Sequence, residues 1–210
     1  MDQQRHRRLR LLTRSLNKER RKQAKQIDLL CSDFIGAQRS FIDKLNTIRF
    51  TADFYESIIG TTDMGALLHV ASKLIRDEIA DVNVTFFLRQ SANGGFELHM
   101  FESEKPIGLE EYRLENCFSA ELVEQIHKSN KVCNLDDMFG MGLQGNPVGL
   151  NNVSAVTVPI GELGQSLGFV LIYRSSQNKL TTDELSKLSA IRAGLTRAIQ
   201  ACQVLSHSTS

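Results

Sequence analysis

The stretch Val153–Arg174, VSAVTVPIGELGQSLGFVLIYR, decides how this chain is read. Val153 to Ile160 and Leu167 to Arg174 are dense in β-branched and aromatic residues, and Gly161 to Gln165 between them supplies a turn. Such residues suit a pleated, half-buried surface, so the pair reads as an antiparallel hairpin. A matching pair lies upstream: Val82 to Gln90 (VNVTFFLRQ), the turn-forming Asn93-Gly94-Gly95, then Phe96 to Ser103.

Between the hairpins, Leu122, Val123 and Ile126 give Phe118 to Ser129 a helical period, and Lys131 to Leu135 reads as a short strand. The following loop, Asp136 to Asn152, holds Gly140, Gly142, Gly145 and Gly149. It also carries Met138, Phe139, Met141, Leu143 and Pro147, too apolar a set for a solvated connection. A loop of that composition is expected to cover something. Two helices bracket the sheet. Thr61 and Thr62 are expected to cap the first, which shows Met64, Leu67, Leu68, Ala71, Leu74, Ile75 and Ile79 at helical spacing. Thr181 and Glu184 form a capping box that opens the second, running to about Leu205.

The chain of 210 residues has room for more than this sheet. From Met1 to Ile59 there is no Pro and a single Gly, Gly36, so one long helix is predicted. Ile27, Phe34, Phe41, Ile48 and Tyr55 recur every seven residues, with Leu30, Ala37, Leu45, Ala52 and Ile59 between them. A seven-residue apolar period keeps its seam on one side of a helix and calls for a partner helix along its length. The last helix repeats the pattern in Leu188, Ile191, Leu195, Ala198, Cys202 and Leu205. Dimerisation is therefore expected through Ile27, Phe34, Phe41, Ile48, Tyr55, Leu188, Ile191 and Leu195, the N- and C-terminal helices of two copies forming a four-helix bundle. Leu9, Leu12 and Leu16 make a shorter stripe, separated from this seam by a polar stretch, Asn17 to Gln26.

Charge is uneven. Residues 1–26 hold Arg5, Arg7, Arg8, Arg10, Arg14, Lys18, Arg20, Arg21, Lys22 and Lys25 against Asp2 and Glu19, a net +8 in a chain whose total is +1. Residues 5–25 could meet nucleic acid, an anionic membrane or an acidic protein, or be a solvated helix end. A basic segment before a coil resembles a DNA-reading arrangement, but the polar gap counts against it. The four cysteines, Cys31, Cys117, Cys133 and Cys202, lack CxxC spacing and read as reduced thiols, so neither a zinc site nor a disulfide framework is indicated. No run approaches the roughly 18 apolar residues of a spanning helix, and no leader follows the first basic residues, so a cytoplasmic protein is expected.

The element order, with Val84–Leu88, Ser154–Ile160, Leu167–Leu171 and Leu180–Leu185 as its specific motifs, resembles the GAF domain, a sensory relative of the PAS fold. Leu180 stands where that family's closing motif carries an aromatic. The resemblance covers about residues 61–205 and implies an α+β fold. It calls for a six-stranded antiparallel sheet with the terminal helices on one face and a ligand pocket on the other, under the 136–152 loop. The expected organisation is a basic segment and coiled-coil helix over 1–60, the GAF-like domain with its C-terminal helix over 61–205, and a disordered tail over 206–210.

Strand parity and the resemblance nominate Phe87, His99, Phe101, Cys117, Met138, Phe139, Met141 and Val156 as ligand-binding residues, for an unidentified small molecule. Other family chemistries fit less well. Asn178, Lys179, Asp183 and Glu184 lack the spacing and Phe of the cyclic-nucleotide signature, and the capping box already accounts for the last two. No Cys-His pair is present for bilin attachment. The segment Pro147 to Asn152 has no cysteine where the family's methionine sulfoxide reductases place theirs. Cys117 and Cys133 also read as small core fillers, and His99 as a satisfied core or surface histidine. The expectation is a non-catalytic sensory module that dimerises, binds a small ligand and signals to a separate output protein. The alternative is a ligand-free dimerisation scaffold docking a partner, nucleic acid or membrane through its basic end.

Overall fold

The heptad-patterned segment forms one helix, α1 (Asp2–Ile58), uninterrupted through the polar stretch and through Gly36. A computed structural model describes residues 2–90, 95–101, 113–145, 150–162 and 165–208. The remaining elements are α2 (Met64–Glu78), β1 (Asn83–Arg89), β2 (Phe96–Phe101), a 3-10 turn (Leu114–Cys117), α3 (Ala120–Ser129), β3 (Cys133–Asn134), α4 (Leu135–Gly140), β4 (Val153–Glu162), β5 (Gln165–Ser175) and α5 (Thr182–Ser208). Contacts divide the chain into Met1–Asn46 and Thr47–Ser210. The division falls inside α1 and not at residue 60, because Phe50, Phe54 and Ile58 are buried in the core of the second unit.

The strands form one antiparallel sheet in the order β2-β1-β5-β4-β3. Five strands stand among the described residues where six were expected. Alternation sorts side chains between two layers. Val84, Phe86 and Leu88 of β1, with Val156, Val158 and Ile160 of β4 and Val170 and Ile172 of β5, pack under α2, α5 and the end of α1. Thr85 and Phe87 of β1 and Phe169, Leu171 and Tyr173 of β5 face the other way, toward the 3-10 turn, α3 and α4. At Gly168 the sheet is pinched: φ is +145°, and a Cβ there would collide with the Phe87 carbonyl, next to the register shift at Ile160/Gly161.

Helix ends follow local chemistry. Asp63, not Thr61 or Thr62, caps α2, its Oδ2 accepting from Ala66 N at 2.6 Å. Thr181 and Glu184 form the expected box on α5. Glu184 also accepts from Arg174 Nη2 at 2.7 Å, while that guanidinium donates to the carbonyls of Ala80, Asn178 and Lys179. Burial opposes charge on Glu184, but the Thr181 backbone N–H and the Arg174 and Thr181 side chains outweigh it and hold the carboxyl below its ordinary value. This knot fixes the start of α5 to the end of the central strand, β5. Helix α5 continues to Ser208, beyond the end expected near Leu205.

The last helix corrects one expectation. Leu188, Ile191 and Leu195 are 1–2% exposed in the single chain, buried against their own sheet, and have no surface left for a second copy. Tyr55 is also partly spent internally: its hydroxyl donates to Ala190 O at 2.8 Å, and its ring fills the space where a Cβ at Gly194 would sit. Among the described residues no helix is long and apolar enough to cross a membrane.

Candidate functional site

The second face of the sheet is where the expected pocket would lie. There the Phe87 ring stacks on Phe169 at 4.7 Å and on Phe118 at 5.3 Å. Leu122, Val123 and Ile126 from α3, Met138 from α4, and Leu143 and Leu150 complete this layer, all of them buried. The opening of the 136–152 segment is helical because Asn134 and Asp137 form a capping box, each side chain accepting from the other's backbone N–H at 2.9 Å.

One carboxylate enters this apolar layer. Glu115, buried on the 3-10 turn, accepts from the Thr85 hydroxyl through Oε1 and from the Tyr173 hydroxyl at 2.9 Å through Oε2. Partners for both oxygens make its burial tolerable. No periodicity marks Glu115 in the sequence, which is why it was missed. Cys117 lies on the same turn, and burial, then the neighbouring Glu115 charge, push its thiol above the ordinary value. A thiol so placed is a poor nucleophile at neutral pH.

The structure separates the eight nominated residues. Phe87, Cys117, Met138 and Met141 belong to this second face, Met141 and Cys117 only partly buried. Phe139 on α4 is 38% exposed. Val156 and Phe101 lie on the opposite, helix-covered face, Phe101 against Phe86 with ring centroids 6.1 Å apart. His99, paired with Phe86 in the register, shares that side of β2 and approaches Glu97 Oε1 at 3.4 Å. No single pocket can gather all eight, since a sheet lies between them.

A second polar cluster was not anticipated. Arg89, Glu124, His127, Lys128, Asn130, Ser166 and Leu167 line an open groove of about 530 Å³ between β1, β5 and the end of α3. The Arg89 guanidinium is 3.1 Å from His127 Nε2, and Ser166 Oγ is 3.0 Å from Nδ1. Because arginine can only donate, Nε2 accepts and Nδ1–H donates to the serine, which fixes a neutral tautomer. Burial and then the Arg89 charge hold the imidazole below its ordinary value, Lys128 adding to them and Glu124 opposing.

No family model matches the sequence, and no curated protein is detectably similar. Solved structures are. The GAF domain of an Acinetobacter phosphoenolpyruvate-protein phosphotransferase superposes with a TM-score of 0.56 at 15% identity, covering 75% of this chain and 94% of its own. The corresponding domain from Coxiella burnetii gives 0.53 at 15%, covering 79% and 95%. A putative GAF sensor protein from Burkholderia vietnamiensis gives 0.53 at 12%, covering 77% and 98%. The chain therefore has the fold of the GAF domains, extended by a long N-terminal helix.

Proposed function

We propose that this chain is a non-catalytic regulatory module whose GAF-fold domain is paired with a second copy through α1, and which acts on a separate partner protein. The observation that carries this reading is the seam. Ile27, Phe34, Phe41 and Ile48 are 59–64% exposed in the single chain, and Leu30 and Leu45 stand open beside them. A row of large apolar side chains spaced for knobs-into-holes packing is costly in water and is covered by a like helix. Pairing rests on α1 alone, since the α5 seam is consumed inside the domain. The stacked phenylalanines on the second face support a module that works without a ligand, and the raised Cys117 thiol fits a non-catalytic role.

A second reading keeps a small ligand. Glu115, Thr85 and Tyr173 converge as polar groups within the apolar layer that also holds Met138 and Leu143, an arrangement suited to fixing one end of a small molecule. Native mass spectrometry of protein purified from its own cells separates the two. A dimer with no added mass supports the ligand-free module. A dimer carrying a stoichiometric small molecule transfers the assignment to the sensor, and a monomer removes the pairing from both.

A further inference from the structure

The helical phase of α1 assigns six of the ten basic residues in 1–26 to one face, while Arg20, one heptad before Ile27, and Arg5, one heptad before Leu12, lie on the seam side. At 100° per residue, Leu9, Leu12 and Leu16 fall on the same side as Ile27, Leu30 and Phe34, and Leu9 and Leu16 stand a whole number of heptads before Leu30. Gln23 occupies the intervening position. The polar stretch thus breaks the composition of the seam without breaking its phase, and the helix runs through it unbroken. Directly opposite this seam lie Arg7, Arg14 and Arg21, one heptad apart, with Arg10, Lys18 and Lys25 beside them. Arg14, Lys18, Arg21, Lys22 and Lys25 border one continuous concavity of the helix surface, and Arg7 and Arg10 border another. From Arg7 to Lys25 the stripe is about 27 Å long.

We infer that this stripe is a docking surface for the phosphate backbone of duplex nucleic acid, bound without regard to sequence. The inference rests on pairing through the α1 seam. Pairing takes Leu9, Leu12 and Leu16 into the coil and turns both stripes outward, leaving a face that is cationic with Leu11 as its apolar exception. A helix lying in a membrane surface needs its apolar face free for lipid, and here that face is engaged. The only acid between Arg7 and Lys25, Glu19, is paired to Lys22 at 3.2 Å, so it offsets none of the six cations of the stripe. Long runs of arginine and lysine along one line match a polymer of regularly spaced charge and gain from releasing its counterions.

The test uses the full chain and a mixed-sequence DNA duplex of roughly 20 base pairs, read by fluorescence anisotropy between about 50 and 200 mM salt. Sedimentation of the same samples reports pairing separately. Binding that weakens steeply with salt is expected. The triple variant Arg7→Gln/Arg14→Gln/Arg21→Gln should lose at least about tenfold in affinity and make the logarithmic salt slope shallower by about three. The control Lys73→Gln/Lys131→Gln/Lys179→Gln removes the same charge from the domain and should change affinity less than about twofold. Equal losses from both triples, no binding at the lowest salt, or capture by phosphatidylserine vesicles in place of the duplex overturns the proposal. A dimer that ignores the duplex sinks this inference and spares the pairing. A monomer that binds it through the stripe does the reverse.

Discussion

Helix α1 carries two apolar patterns that end differently. Phe50, Phe54 and Ile58 recur at four-residue spacing and are buried beneath the sheet, whereas Ile27, Phe34 and Phe41 recur at seven and are nearly two-thirds exposed. Residue types and helical geometry are alike in the two stretches. What separates them is whether the described residues supply a covering surface: a sheet face with α2 and α5 in one case, none of them in the other. An exposed apolar residue alone is unremarkable, but a phased row of them is unfinished packing.

Mutations can break that contrast, and the largest effect belongs to the buried stretch. Phe54→Ala should cost about 3–5 kcal/mol of domain stability through lost transfer energy and a cavity. Thermal unfolding would show it at every protein concentration, while Phe34→Ala should lower the transition only where dilution has not already separated the pair. If the two substitutions behave alike, the division of α1 is wrong. Arg174→Met should cost about 2–3 kcal/mol, since it strips charge-assisted hydrogen bonds from Glu184 and three carbonyls. Denaturant titration reads that loss, and it should be undiminished when α1 is monomerised.

Smaller effects sharpen the boundary between the stretches. Tyr55→Phe removes the hydroxyl that joins α1 to α5 at Ala190 and should cost about 1 kcal/mol in the same titration, with self-association unchanged. For His127 the expectation is a direction with pH. Its folded imidazole is held below the ordinary 6.5 by burial and Arg89, so on acidification the unfolded chain takes up the proton first. Stability contributed by the neutral ring is whole above 6.5 and is lost as pH falls toward the depressed folded value. Melting curves of the native chain should therefore fall on acidification through this window, and those of His127→Gln should fall less.

Much of the fold was legible because its signals are local. The two hairpins announce themselves through β-branched runs around Gly-containing turns, and the Thr181–Glu184 box marks the start of α5 within a residue. What failed depends on partners distant in sequence. Leu188, Ile191 and Leu195 have a period that fits a coil or a sheet face equally well, and only the sheet's position decides. His99, Phe101 and Val156 were assigned a side by parity, but parity does not say which side the helices cover. Helix α4 is obscured in the sequence because Gly140, Gly142, Gly145 and Gly149 follow closely on the Asn134–Asp137 box that starts it. Glu115 gives no pattern at all, and its place is set by Thr85 and Tyr173, 30 and 58 residues away.

The pairing of two copies through the exposed seam is tested most directly by sedimentation equilibrium of the full chain beside the variant Phe34→Asp/Phe41→Asp. Twice the 23.6 kDa chain mass is expected for the native protein and a single chain mass for the variant, with the domain's melting transition retained. A native chain that sediments at 23.6 kDa across the micromolar range, or a variant that still pairs, would contradict it.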